Sequence, residues 1–242
     1  MATVSVPKNR SKVTREPTLL AAADGICFHL PRSPLTLDWF REWVKSDDFP
    51  EKVRTTYVDQ EIYLDMSKEE LQAQAAVKFE ISMVLGNLFR HSRRGKFYLD
   101  GVLVTNVRAN VSNNPDAVFV SRESIELGKV KLVPKKDRQG AYVEIEGTPD
   151  WVMEIVSDSS VRKDTQQLRR AYHRAGIPEY WLVDARGETI DFQILHWRKS
   201  GYAAVPSKDG WQRSRVFDRE FRLSRERDDL GLWEYTLEMR PE

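Results

Sequence analysis

Apolar residues along this chain switch between two spacings, and the switches mark out its elements. Leu37, Phe40 and Trp43 in LTLDWFREWV stand three apart, as on a helix, with Thr36 placed to cap it. RTTYVDQEIYLDM alternates through Tyr57, Ile62 and Leu64 and reads as a β-hairpin. Ser67, followed by Glu69 and Glu70, opens a long helix expected to reach about His91. Its apolar stripe is Val77, Ile81, Val84, Leu85 and Leu88, with Gln74 and Glu80 on or beside it. Short strand patterns follow at KFYLDG, VLVTNV and AVFVS, then a charged loop from about Glu126 to Gly140, then YVEIEG. The densest apolar strand is DWVMEIVS. A helix starting near Asp164 carries Leu168, Ala171, Tyr172 and Ala175 on one face, and Gly176 and Pro178 end it. EYWLVD and Ile190 to Trp197 are further strands, and GYAAVPSKDGWQRSRVFDREFRL reads as a C-terminal hairpin turning at Lys-Asp-Gly. This order predicts an α/β protein built on a mixed sheet flanked by helices.

Residues 1–17 are polar, basic and aperiodic and are expected to form a disordered tail, leaving 18–242 as a single domain. At 40% hydrophobic residues the chain can bury a full core. Its 38 basic and 37 acidic side chains nearly cancel, so a nucleic-acid surface would have to be a local patch. RHSRRGK (Arg90 to Lys96) and the stretch Lys129 to Arg138 are the candidate patches, against the ordinary reading of solvated surface. One cysteine, Cys27, excludes a disulfide framework and a multi-thiolate zinc site, and the four histidines fall into no H-x-x-x-H pattern. No apolar run is long enough to span a membrane, and no signal-peptide core is evident, so a cytoplasmic location is expected.

The informative residue is a charge inside the densest strand. Trp151, Met153 and Ile155 share one face, and Val152, Glu154 and Val156 share the other. A carboxylate at Glu154 is desolvated and needs a partner or a cation. Asp116 opens the strand DAVFV after Asn113, Asn114 and Pro115. If the two strands are neighbours, both carboxylates converge on one hard cation such as Mg²⁺. Plainer readings stand beside this one. Asp116 would terminate a turn, Glu154 would pair with an arginine, Glu80 would be a flank charge, and Asp158 and Asp164 would cap the next helix.

PDAVFV, together with WVMEIVSDSSVRKDTQQLRRAYHRAGIPEYWLVD, resembles the Uma-type restriction endonuclease family of the PD-(D/E)XK nuclease superfamily, over roughly Leu35 to Leu223. The resemblance implies a restriction-endonuclease-like core, here with an added C-terminal β-hairpin. It also implies Mg²⁺-dependent cleavage of DNA, with Mn²⁺ an alternative ion. Asp116 matches the acid of the P-D element, Glu154 matches the second acid, and Glu80 resembles the helix acid of some relatives. The lysine places of the superfamily and the family hold Val156 and Leu168. Lys163, Arg162 and Gln167 are nearby, and Lys163 is the first candidate because its stem reaches back toward Glu154. The alternative for Lys163 is a solvated basic turn.

Two functions follow. One is a metal-dependent endonuclease with Asp116 and Glu154 on the metal and Glu80 and Lys163 assisting. The other is a cleavage-deficient nuclease fold acting as a nucleic-acid-binding or assembly module. No G-x-S-x-G elbow, Gly-rich phosphate loop or Cys/His pair supports a different hydrolase. Trp181 belongs to the core on this reading, and Trp211 and Trp233 offer a surface for a homodimer.

Overall fold

The computed structural model describes residues 35–47, 49, 53–90 and 94–241, and the backbone of 2–4, 18–21 and 27–30. Three short strands, β1 (Ala2–Val4), β2 (Thr18–Ala21) and β3 (Cys27–Leu30), precede helix α1 (Leu37–Val44). The hairpin β4 (Arg54–Val58) and β5 (Glu61–Asp65) leads through a π-helical turn, Leu71–Ala76, into α2 (Val77–Phe89). Next come β6 (Gly95–Leu99), β7 (Leu103–Asn106), β8 (Val111–Asn113), β9 (Ala117–Ser121) and a short helix α3 (Arg122–Glu126). Strands β10 (Val130–Pro134), β11 (Tyr142–Gly147) and β12 (Trp151–Ile155) follow. A second π-helical turn, Lys163–Leu168, runs into α4 (Arg169–Arg174). The chain ends in β13 (Glu179–Asp184), β14 (Asp191–Arg198), β15 (Gly201–Ala204), β16 (Gln212–Ser214), β17 (Arg219–Arg227) and β18 (Trp233–Arg240).

The α/β fold is the one expected, with its strands divided between two large mixed sheets. One has the order β1-β5-β4-β8-β7-β11-β10 and the other β15-β14-β13-β12-β9-β6. At the centre of the second sheet, β12 runs parallel to β13 and antiparallel to β9. Both faces of β12 are covered, which is why it reads as an almost unbroken apolar run. Trp151, Met153 and Ile155 pack with Val77, Ile81 and Leu85 of α2 and with Phe217 and Phe221 from the C-terminal segment. Val152 and Val156 pack the opposite way, with Leu168, Ala171 and Tyr172 of the second helical segment and Val104, Val111 and Ile145 of the seven-stranded sheet. Trp181 is fully buried at the register position opposite Met153, as its apolar surroundings predict.

Several boundaries differ from the sequence pattern. Thr36 caps α1 as expected, its hydroxyl accepting the Trp39 N–H. The long helix is capped by Glu70, whose carboxylate accepts from Gln72 and Ala73, while Ser67 turns back to Asp65. His91 and residues 92–93 of the basic cluster lie outside the described residues, as do 5–17 of the expected tail. Residues 2–4, by contrast, pair with β5. The segment expected to be a loop, 126–140, contains β10, because Val130 and Leu132 meet the core while Lys131 points away; the flanking charges hide that alternation. The expected C-terminal hairpin is divided. Strand β15 pairs with β14 in the six-stranded sheet, and Asp209 and Gly210 turn in an isolated bridge between Lys208 and Trp211. Strand β16 pairs with β17, turning at 215–218, in a three-stranded sheet with β18.

Candidate active site

The register of β9 on β12 pairs Trp151 with Phe119, Val152 with Val118, and Met153 with Ala117. One step further along the same ladder stand Glu154 and Asp116. Asn114 and Pro115 separate β8 from β9 there, so Asp116 sits at the strand mouth and its Oδ2 accepts the Ile155 N–H at 2.7 Å. The two carboxylates therefore share one pocket, lined also by Arg54, Gln74, Lys163 and Asp164. The pocket opens where the ends of the two large sheets meet the second helical segment.

Glu154 is 2% exposed. Its Oε1 accepts the Tyr172 hydroxyl at 2.5 Å and the Asn113 amide at 2.7 Å, and Asn113 Nδ2 also donates to Tyr172 Oη at 2.6 Å. No arginine pairs with it among the described residues. Burial pushes the Glu154 carboxyl well above its ordinary pKa; Lys163 opposes that shift, and the negative charges of Asp164 and Asp116 add to it.

Lys163 is not a solvated turn residue. Its side chain is 11% exposed, and Nζ lies 3.0 Å from Asp164 Oδ1. Burial alone would lower its pKa, but Asp164 and Glu154 outweigh burial and raise it, so the ammonium stays charged. Lys163 and Asp164 line the pocket from the π-helical turn that opens this helical segment. Asp164, expected as a cap, is a buried carboxylate whose pKa burial raises against the pull of Lys163. Asp158 by contrast is exposed and paired with Arg186.

A second group of charges adjoins Asp116. Carboxylate oxygens of Glu69, Asp100 and Asp116 lie within 4.8 Å of one another. Lys78 Nζ is 2.8 Å from both Asp116 Oδ1 and Asp100 Oδ2 and also binds Glu69. Arg54 binds Glu69 as well and reaches to 3.6 Å from Asp116. Five carboxyl groups, Glu69, Asp100, Asp116, Glu154 and Asp164, thus stand around three cations, Arg54, Lys78 and Lys163, with burial holding Glu154 and Asp164 above their ordinary pKa. Oxygen donors grouped in this way are of a kind that could hold a metal ion.

Residues 38–226 match the Uma2 family, described as "putative restriction endonuclease". The chain belongs to this family. A crystal structure described as a "putative nuclease belonging to DUF820" from Anabaena variabilis aligns with TM-score 0.54 and 17% identity, covering 76% of this chain and 91% of that one. At that identity the likeness concerns the fold. No curated protein matches the chain significantly.

For this Uma2-family protein, the pocket brings together Asp116, Glu154 and Lys163 of the residues singled out from sequence, with Gln74 at its wall. It does not bring in Glu80, whose Oε1 accepts the Leu237 N–H of β18 at 2.8 Å. Glu80 and Lys78 leave α2 on different sides: Lys78 reaches Asp116, and Glu80 meets β18. Val156 and Leu168, at the lysine places, are wholly buried in the core. Lys78, Arg54, Glu69 and Asp100 were not evident in the sequence. Only Lys78, one residue after the stripe position Val77, carried a signal there: a cation on the buried side of an amphipathic helix. No helix among the described residues is long and apolar enough to cross a membrane.

Proposed function

We propose that this protein hydrolyses phosphodiester bonds of DNA with the help of Mg²⁺, Mn²⁺ serving as an alternative. The supporting observation is the placement of Asp116 and Glu154 one step beyond the β9–β12 pairing, in a single pocket with the buried ammonium of Lys163. Asp116 and Glu154 would hold the ion. When bound, it supplies Lewis-acid polarisation of the phosphate and a lowered pKa for an attacking water.

The protein's own groups perform the rest. Tyr172 and Asn113 both bond Glu154 Oε1 and so fix its orientation. The Ile155 N–H fixes Asp116 through Oδ2. Lys163, kept protonated by its carboxylate neighbours, is the cation available to the negative charge that grows on the phosphate oxygens, from a helix start rather than from the strand. Glu80 has no part in this reading, since it is committed to β18.

The test is incubation of purified protein with plasmid and with linear single-stranded DNA in Mg²⁺, Mn²⁺ or EDTA, beside Asp116→Asn. Cleavage that requires metal and is lost in the variant supports the nuclease. Metal binding without cleavage under any condition supports instead the cleavage-deficient binding module, which the apolar residues at 156 and 168 favour.

A further inference from the structure

Lys78 is an unusual residue for its position. Its side chain is 10% exposed, on the same helix that packs Val77, Ile81 and Leu85 into the core. A buried ammonium is costly unless each of its three N–H bonds finds an acceptor. Here three carboxylates meet it: Asp116 and Asp100 at 2.8 Å each, and Glu69. The three acids come from separate parts of the chain, the lead into α2, the turn after β6 and the mouth of β9. Their oxygens lie within 4.8 Å of one another, a spacing at which they repel unless a cation stands between them.

We propose that the Lys78 ammonium fills the seat of a second cation, so that the site loads a single divalent ion. This rests on the metal reading of Asp116 and Glu154 given above. Asp116 is the shared wall: its Oδ1 faces Lys78, its Oδ2 is held by Ile155, and beyond it lies Glu154 in the same pocket. Lys78 thus acts as a positioning residue. It occupies the Glu69–Asp100–Asp116 side and leaves the Glu154 side, where Lys163 stands beside Asp164, to the exchangeable ion. Arg54 supports it from outside, bonded to Glu69 and lying 3.6 Å from Asp116 and 3.9 Å from Asp100.

Replacing Lys78 by a neutral side chain empties a three-carboxylate seat of the right chemistry for a second ion. The experiment is a Mn²⁺ titration of the full-length protein, read by calorimetry and by the electron paramagnetic resonance of free Mn²⁺, for wild type, Lys78→Met, Lys78→Gln and Lys78→Arg. Wild type and Lys78→Arg are expected to bind one ion per chain and the two neutral variants two. Thermal melts give a second readout: the neutral variants lose stability in EDTA and regain it with Mn²⁺ by more than wild type gains. If the neutral variants fold only in the presence of Mn²⁺, that supports the same conclusion. A second ion in wild type, or a single ion in both neutral variants, overturns the proposal. No ion in wild type, with an ion appearing in the neutral variants, overturns the Asp116–Glu154 reading instead and leaves Lys78 as the occupant of the only seat.

Discussion

Glu154→Gln separates the electrostatic account from a merely structural one. Glutamine is isosteric, and its Oε1 can still accept from Tyr172 and Asn113, so the change removes a charge and leaves no cavity. Burial raises the wild-type Glu154 pKa, with Asp164 and Asp116 adding to the shift against Lys163. The folded protein therefore keeps a proton that the unfolded chain has already released. Stability from this group is full below the ordinary glutamate value, about 4.3, and is lost as pH rises toward the folded-state pKa. In that window the loss is about 1.4 kcal/mol per pH unit. The substituted glutamine cannot titrate, so the advantage of the variant over wild type should grow by about that amount per unit and then level off. For a chain of this size the difference corresponds to roughly 3–6 °C in Tm per pH unit. Urea or thermal unfolding in EDTA from pH 5 to 8 measures it. Saturating Mn²⁺ should narrow the difference, since an ion at about 100 times its Kd adds about 2.7 kcal/mol to wild type only. A variant less stable than wild type at every pH, or a difference flat with pH, would refute this reasoning and mean that Lys163 fully compensates an ionised Glu154.

Other substitutions report on single contacts. Lys163→Met should lower the rate of DNA cleavage by roughly 100- to 1,000-fold while Mn²⁺ titration still registers the ion; equal loss of both would make Lys163 structural. Tyr172→Phe removes a hydrogen bond to a carboxylate, worth about 1.5–3 kcal/mol of stability, and should move Mn²⁺ binding to higher pH because Glu154 loses a contact that favours its charged form. Unchanged denaturation and pH dependence would show that Asn113 alone orients Glu154. Glu80→Ala strips the Leu237 N–H of its acceptor and should cost about 1–3 kcal/mol in unfolding experiments, with Mn²⁺ affinity as in wild type. A loss of Mn²⁺ affinity in that variant would return Glu80 to the site.

The fold was legible where periodicity and burial agree. Alternation along 151–156 placed Glu154 on the correct face of a doubly covered strand, and the apolar spacing of 168–175 found the helix that carries Tyr172. Strand β10 was hidden because its neighbours in sequence are charged, and a short edge strand needs only Val130 and Leu132 to anchor it. The pocket was half legible. Asp116 and Glu154 stand out as a polar residue at a strand mouth and a charge in an apolar run. Lys163 was ambiguous because its burial beside Asp164 and Glu154 comes from tertiary structure, which no spacing rule signals. Glu80 lies apart from the pocket because a helix stripe gives the buried side of α2 but not which neighbour each flank of it meets. Lys78, Glu69, Asp100 and Arg54 meet only through tertiary structure, and all but Lys78 look like ordinary surface charges in sequence.

Everything proposed for the site turns on whether Asp116 and Glu154 together seat one exchangeable divalent ion. Anomalous diffraction from crystals soaked in Mn²⁺ locates that ion directly. A single peak bridging Asp116 and Glu154 is expected, with Lys78 still bound among Glu69, Asp100 and Asp116. A peak at the Lys78 position with Glu154 unligated, or no peak in the pocket at saturating Mn²⁺, would contradict it.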